Sequence, residues 1–226
     1  MRRGAGKEMP PVAAAIKTQK PKTRRALVKQ FIESVVLSQY RQLVEWATVT
    51  GQSSQLDSGY LGQQLVSLLT GIAGIGRRGK GLDLEDGSEV KAASTLSADD
   101  VPRWNNTIRD AAQLKAYLGK PAIYFVLFDT IQRDASSPLR VRIWRVCPTE
   151  DRAFRAVVRK WAKTKSPGNL QLHPPCWDTG NLVTNEAGNL LLPLMFHAEQ
   201  KEIGEIDYME IKAMKLDSGH CTVVKR

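Results

Sequence analysis

The chain has 226 residues, of which 42% are hydrophobic and 25% are charged, and its formal net charge is +10. This composition is that of a globular protein, and the length suits one domain of ordinary to large size. No run of about 18 apolar residues is present and no apolar stretch follows Met1, so we expect neither a membrane span nor a secretory signal.

The positive charge is concentrated at the N-terminus. Residues 1–25 hold eight Lys or Arg and one acid, which leaves 25 basic against 22 acidic residues for the rest. We therefore predict a basic, proline-containing arm over 1–25 that is partly disordered or contacts DNA phosphates, with a solubilising tail as the alternative. Residues 26–226 are predicted to form a single domain.

Two helices are predicted in the first third of the chain, because apolar residues recur at helical spacing over Ala26–Ala47 and over Leu61–Ile72. The second leads into Gly74–Gly79, which formally matches GxGxxG. A dinucleotide fingerprint must follow a strand and open a helix, so we expect no organic cofactor here. Three cations instead suit a loop that approaches phosphates, with a plain linker as the alternative: Arg77, Arg78 and Lys80.

The next stretch, Gly81–Ala92, combines carboxylates and a lysine around a predicted turn. Glu89 and Lys91 are two residues apart, so in a strand their side chains lie on the same face. Asp86-Gly87 is a hairpin signal that would bring Asp83 onto the neighbouring strand. A two-residue turn would put Asp83 on the wrong face, so convergence with Glu89 requires a three-residue loop or a bulge.

These side chains meet the minimum for a magnesium site. Mg²⁺ prefers hard oxygen ligands and keeps several waters, so Asp83, Glu89 and a substrate phosphate suffice, with the main-chain carbonyl of Val90 as an extra ligand. Lys91 could orient or deprotonate the attacking water in phosphodiester hydrolysis. Two further acids stay open as substitutes for Asp83, namely Glu85 and Asp86. The alternative is a charged hairpin on a solvated sheet edge.

Asp83, the Glu89-Val90-Lys91 triplet and the small residues that follow resemble the signature of PD-(D/E)xK nucleases. The run from Gly79 to Ala93, together with Asn169–Pro175 and Gly188–Pro193, is similar to type II restriction endonucleases of the MamI type. The resemblance implies an α/β (α+β) restriction-endonuclease-like core, with a mixed central sheet flanked by helices and the core motif at 81–95. It also implies Mg²⁺-dependent cleavage of double-stranded DNA at a specific sequence, with Asp83 and Glu89 as metal ligands and Lys91 as the catalytic lysine.

The chain departs from this family pattern in two places. No proline precedes Asp83, and the helix position that carries a glutamate in many relatives falls in Gly62–Leu65, where Gln64 could contribute to the site without a charge. Palindromic targets favour a homodimer. The remaining alternatives are a repair or mobile-element nuclease of the same superfamily and an inactive basic DNA-binding module.

Two strands and a helix are predicted in the middle of the chain. Ala122–Phe128 is a continuous apolar run typical of a central strand, and Leu139–Val146 alternates as a strand with one exposed basic face would. A helix capped by Thr149 runs through Lys163. Its basic face either contacts DNA or is simply solvated, and it carries Arg155, Arg159 and Lys163.

The remaining candidates are less specific. A probable loop at Arg103, Asn105 and Asn106 offers groups that can bond base edges, and strands are predicted at Leu190–His197 and Ile206–Ile211. The three cysteines are unevenly spaced and form no CxxC pair, so we expect no disulfide framework and a reducing, cytoplasmic location. No second paired ligand cluster supports a zinc site beside them.

Overall fold

The structure is a computed structural model that describes residues 16–76, 82–96, 101–132, 134, 137–165, 167–174, 181–185 and 188–216. The α-helices of this part are α1 (Pro21–Phe31), α2 (Ser38–Thr50), α3 (Ser58–Thr70), α4 (Ala111–Leu118) and α5 (Arg152–Lys165). Its strands are β1 (Glu89–Thr95), β2 (Trp104–Ile108), β3 (Ile123–Thr130), β4 (Leu139–Val146), β5 (Gly168–Leu172), β6 (Leu182–Asn185), β7 (Gly188–Leu191), β8 (Leu194–Ile203) and β9 (Ile206–Met214). None of the described helices is long and apolar enough to cross a membrane.

A five-stranded sheet of order β1-β3-β4-β8-β9 forms the centre of the molecule. β1 and β3 are parallel and the other neighbours are antiparallel, so the sheet is mixed, as predicted. Helices α1 and α3 cover one face. The other face is covered by α4, α5 and two small sheets, β2–β5 and β6–β7. The predicted mixed sheet flanked by helices is confirmed, and the arrangement is compatible with a restriction-endonuclease-like fold.

The apolar run predicted as a central strand is β3, which is buried at every position. Its side chains alternate between the two cores: Tyr124, Val126 and Phe128 pack under the helices α1 and α3, and Phe125 and Leu127 pack on the opposite face. This two-sided burial explains why the sequence of β3 is continuously apolar rather than alternating.

The basic face predicted for β4 is not exposed. Arg140 and Arg142 are buried, and both donate to the carboxylate of Asp129 at the end of β3. Arg140 Nε lies 3.0 Å from Oδ1 and Arg142 Nη2 lies 2.7 Å from Oδ2. β4 lies between β3 and β8, so its cations are taken out of water and require a partner. Alternation of arginine with apolar residues is compatible both with an exposed basic face and with buried arginines that are paired to an acid.

The helix predicted from Ala26 begins five residues earlier, at Pro21, because proline suits the first turn of a helix. Arg24, which the sequence assigns to the arm, is buried and donates to the Leu69 carbonyl of α3 at 2.9 Å. A π-helical segment, Ile32–Leu37, joins α1 to α2. Residues 1–15 of the predicted arm lie outside the described residues.

Local chemistry shifts two further boundaries. The strand predicted at Leu190–His197 is split into β7 and β8 at Pro193, which cannot donate to a sheet ladder. The cap of α5 is Asp151 rather than Thr149, since Asp151 Oδ1 accepts from the Phe154 N–H at 2.9 Å.

Contrary to expectation, Cys147 is disulfide-bonded. The other two cysteines, Cys176 and Cys221, lie outside the described residues.

Candidate active site

Strand β1 carries the centre of the site at one edge of the five-stranded sheet. The N–H of Glu89 donates to the Ala122 carbonyl next to β3 at 3.1 Å. Because hydrogen-bonding groups alternate in direction along a strand, the N–H and carbonyl of Val90 point to the free edge of β1. The Val90 N–H donates there to Asp83 Oδ2 at 2.8 Å. The carboxylate of Asp83 therefore lies against the main chain that carries Glu89 and Lys91.

Asp83 reaches this position through a turn rather than a two-stranded hairpin. The N–H groups of Asp83 and Leu84 both donate to the Ser88 carbonyl, at 3.3 and 3.2 Å, so two residues oppose one as in a β-bulge. The strand predicted before the turn is not formed, because Leu84 pairs instead with Gly74 in an isolated bridge. The bulge-like pairing that was required to bring Asp83 to the side of Glu89 is present, although the two-stranded hairpin is not.

The second oxygen of Asp83 is bound by a residue that the sequence did not single out. Gln63 Nε2 on α3 donates to Asp83 Oδ1 at 2.8 Å. Gln64, which was predicted as an accessory residue that could contact a metal-bound water, is exposed, since consecutive helical residues point about 100° apart. The signal that could have found Gln63 is its spacing: it lies three residues before Val66 and seven before Thr70, which are both buried.

A glycine allows α3 to approach β1 closely beside this contact. A Cβ on Gly62 would lie 2.8 Å from the Cβ of Ala92 and 3.4 Å from that of Val126. Only a residue without a side chain fits such a separation without displacing its neighbours. Gly62 thus sets the distance between the helix that carries Gln63 and the strand that carries Lys91.

Glu89 is buried and is neutralised by two lysines. One carboxylate oxygen contacts Lys91 Nζ, and the other lies 2.9 Å from Lys120 Nζ. Lys120 lies three residues before β3 begins at Ile123, and the parallel register pairs Glu89 with Ile123, so the starts of both strands meet at one end of the sheet. Sequence reasoning missed Lys120, because its position depends on that parallel pairing.

Burial and the charge of Glu89 both shift the pKa of two neighbouring groups, Asp83 and Tyr117. Burial raises the pKa of Asp83, the Val90 N–H opposes that shift, and the charge of Glu89 adds to it. Burial, followed by the charge of Glu89, raises the pKa of Tyr117 well above its usual value. The Tyr117 hydroxyl has no hydrogen-bond partner among the described residues.

Asp83, Glu89 and Val90 could together hold a hard cation that keeps most of its waters. Asp83 and Glu89 supply carboxylate oxygens, and Val90 directs its carbonyl to the same edge. The described residues contain no group of three or more His, Cys, Asp or Glu placed to hold a metal. Mg²⁺ fits this arrangement better than zinc, because it needs only one or two carboxylates from the protein.

The two alternative acids are engaged elsewhere. Glu85 is exposed and forms an ion pair with Lys17. Asp86 stabilises its own turn, since its two oxygens accept from the N–H and the hydroxyl of Ser88, both at 2.9 Å. Among the three acids, Asp83 is the one that bonds to β1.

The predicted DNA contacts divide into three groups. Arg77, Arg78 and Lys80 lie outside the described residues. Arg103 and Asn105 are exposed. Asn106 is buried and donates to the Leu170 carbonyl at 3.3 Å, so its proposed base contact is wrong. The predicted loop is strand β2, and alternation along a strand sends Asn105 and Asn106 to opposite faces.

The amphipathic pattern predicted for α5 is confirmed, with Phe154, Val158 and Trp161 buried. Arg159 and Lys163 are exposed, whereas Arg155 donates to the Thr149 carbonyl at 2.9 Å. Arg155 and Arg159 line a cleft of about 380 Å³ between α5 and α4, to which Lys115 also contributes. The cleft extends to Gly119, the neighbour of Lys120.

Comparison with known proteins matches the sequence of this chain to one family. A family model described as MamI restriction endonuclease matches residues 45–212. The type II restriction enzyme MamI of Microbacterium ammoniaphilum is 37% identical over 167 residues, which cover 67% of this chain and 54% of that enzyme. The chain thus spans about half the length of this relative. No solved structure matches the chain.

Proposed function

Because the chain belongs to the MamI restriction endonuclease family, we propose that it is a PD-(D/E)xK type II restriction endonuclease that hydrolyses double-stranded DNA with Mg²⁺. The supporting observation is the meeting of Asp83, Glu89 and Lys91 at the free edge of β1. Two carboxylates and a lysine at one strand edge suit phosphodiester hydrolysis, since it needs a cation site and a hydrogen-bond donor beside the phosphate.

Asp83, Glu89 and the Val90 carbonyl would hold the ion. Bound Mg²⁺ stabilises the negative charge that develops on the phosphoryl group and makes water more acidic. Gln63 and the Val90 N–H each bind one oxygen of Asp83, so the orientation of this carboxylate is set before a ligand arrives. Such preorganisation lowers the cost of forming the site.

The two lysines have different surroundings. The side chain of Lys120 is 11% exposed and that of Lys91 is 28% exposed. Lys91 is therefore the one better placed to reach a phosphate or an attacking water, while Lys120 keeps the buried carboxylate of Glu89 paired. A cation that binds Glu89 competes with both ammonium groups, so Glu89 exchanges partners when the site is occupied.

The cations of α5 and α4 supply a path for the DNA backbone. Lys115, Arg155 and Arg159 line the cleft beside the loop of Lys120, and the exposed Lys163 lies one helical turn beyond Arg159 on α5. Phosphate contacts of this kind position a duplex without reading its sequence. A palindromic target would be read by a two-fold homodimer, which size-exclusion chromatography with and without DNA can detect.

The decisive experiment is cleavage of long duplex DNA with Mg²⁺, with EDTA, and by Lys91→Met and Asp83→Asn. Wild-type protein should yield discrete fragments with Mg²⁺ only, and each variant should lose about 10²–10³-fold in rate. Glu85→Gln is the matched control, because Glu85 is an exposed acid of the same turn that makes no bond to β1.

Three other outcomes would count against the proposal. Smearing or single nicks would indicate a different nuclease of the superfamily. Loss of activity in Glu85→Gln with retention in Asp83→Asn would show that Glu85, and not Asp83, is the first metal ligand. Binding without cleavage under all divalent metals would leave a DNA-binding module as the function.

A further inference from the structure

Strands β2 and β5 form a two-stranded antiparallel ribbon outside the central sheet, and we call this pair the β2–β5 ribbon. Its register pairs Trp104 with Leu172, Asn105 with Gln171 and Thr107 with Asn169. One face of the ribbon is buried except at the half-buried Gly168, and the residues of the other face are exposed. The ribbon therefore presents one complete face to a ligand.

The buried face fixes the ribbon to the sheet that carries the active site. Trp104 lies 5.0 Å from the ring of Phe125, and its Nε1 donates to the Val126 carbonyl at 2.8 Å. Phe125 is the register partner of Lys91, and both side chains point to this side of the sheet. A ligand on the exposed face of the ribbon is thus held on the same side of the sheet as Lys91.

The exposed face consists of polar, uncharged side chains. It holds Asn105 and Thr107 on β2 and Asn169 and Gln171 on β5, and neither strand contains an acid. Thr107 and Asn169 bond to each other at 3.0 Å. Asn105 and Gln171 are directly opposite each other, and their amides have no partner within the described part of the chain. Two adjacent free amides can donate and accept toward a ligand.

Cations stand at both ends of the ribbon. Arg103 precedes β2, and the exposed Lys165 lies shortly before β5, which begins at the opposite end. Five residues of strand span about 17 Å, compared with about 12 Å for the major groove of B-DNA. A cleft of about 330 Å³ beside the ribbon is lined by Lys165, Asn169 and Gln171. Cations at the two ends of the ribbon can contact the phosphates that border a groove, while the amides between them face the floor of the groove.

We propose that the β2–β5 ribbon enters the DNA major groove and reads base edges, with Asn105 and Gln171 as specificity-determining residues. A two-stranded ribbon fits the major groove, and Asn and Gln amides match the adjacent donor and acceptor of adenine. The inference rests on the proposed function in one respect, that double-stranded DNA is the substrate. It adds the element that selects the sequence.

The test is selection of bound duplexes from a pool with a randomised centre, in Ca²⁺ so that binding is measured apart from cleavage. The proteins compared are wild type, Asn105→Ala, Gln171→Ala and the double variant. Gln42→Ala is the matched control, since Gln42 is an exposed amide on α2. Thermal unfolding of each variant verifies that the fold is retained.

Each single variant should lose about 10–100-fold in preference for the selected sequence over the pool. Binding to the unselected pool at low salt should stay within about two-fold of wild type, because phosphate contacts dominate it. Asn105→Asp should alter the selected base rather than remove selection. Selection by the double variant equal to that of wild type, or no selection by wild type, would overturn the inference.

Cleavage with Mg²⁺ separates this inference from the proposed function. Discrete cleavage with unchanged selectivity in the double variant refutes the ribbon while supporting the nuclease. Selective binding that depends on Asn105 and Gln171, without cleavage by wild type, supports the ribbon and refutes the nuclease.

Discussion

Replacement of Gly62 by alanine tests how the fold places the active site. The new Cβ would lie 2.8 Å from that of Ala92, whereas carbon atoms pack at about 3.5–4.0 Å. Both atoms are fixed to backbone, one in α3 and one in β1, so neither can rotate away. The helix must move by roughly 1 Å relative to the strand.

The magnitude follows from two opposing effects. Overpacking of this kind costs about 1–3 kcal/mol, and alanine gains about 1 kcal/mol over glycine in a helix. We expect Gly62→Ala to lower the free energy of unfolding by about 0–2 kcal/mol. It should also reduce the cleavage rate, since Gln63 moves with the helix away from Asp83.

Urea unfolding of a double-mutant cycle measures the clash directly. Ala92→Gly alone should cost about 0.5–1 kcal/mol, but in the Gly62→Ala background it removes the opposing Cβ. The two substitutions should therefore compensate, with a coupling energy of about 1–3 kcal/mol. Gly59→Ala is the control on the same helix, because its Cβ would meet nothing closer than 3.6 Å. Additive substitutions, or equal stability of the two alanine variants, would refute the close approach.

Three other substitutions test individual contacts. Gln63→Ala should lower the Mg²⁺-dependent cleavage rate about 10–100-fold and Gln64→Ala should not, because Gln63 binds Asp83 and Gln64 is exposed; equal effects in a cleavage assay would contradict this assignment. Tyr117→Phe should raise the free energy of unfolding by about 1 kcal/mol, since it removes a buried hydroxyl without a partner; destabilisation in urea would show that the hydroxyl is bonded. Burial lowers the pKa of His197 below 6.5. The contribution of neutral His197 to the free energy of unfolding is therefore complete above that pH and declines as the pH falls through the folded-state pKa. His197→Gln should flatten this decline in unfolding experiments, and an unchanged pH profile would exclude His197 as its source.

The predictable parts of this fold are those set by local periodicity. The continuous apolar run of β3 predicts a strand buried on both faces, and the spacing of apolar residues in α5 predicts an amphipathic helix. Both elements form as predicted. The common face of Glu89 and Lys91 follows from the period of two in β1. The demand for a bulge near Asp83 was also a local argument, and the shared Ser88 carbonyl agrees with it.

Contacts between distant elements could not be predicted in the same way. Arg140 and Arg142 alternate with apolar residues as an exposed face would, and only the neighbouring Asp129 explains their burial. Gln63 and Gln64 are the same residue type at adjacent positions, so the orientation of α3 alone decides which of them reaches Asp83. These outcomes depend on packing, which one sequence does not specify.

Lys120 shows how the topology completes the charge balance of the site. A parallel pair places the starts of both strands at one end of the sheet, so Lys120, three residues before β3, lies beside Glu89 at the start of β1. An antiparallel pairing would have put Lys120 at the far end and left Glu89 with Lys91 alone. A buried carboxylate needs partners for its charge, and the parallel crossover supplies Glu89 with one ammonium group on each oxygen.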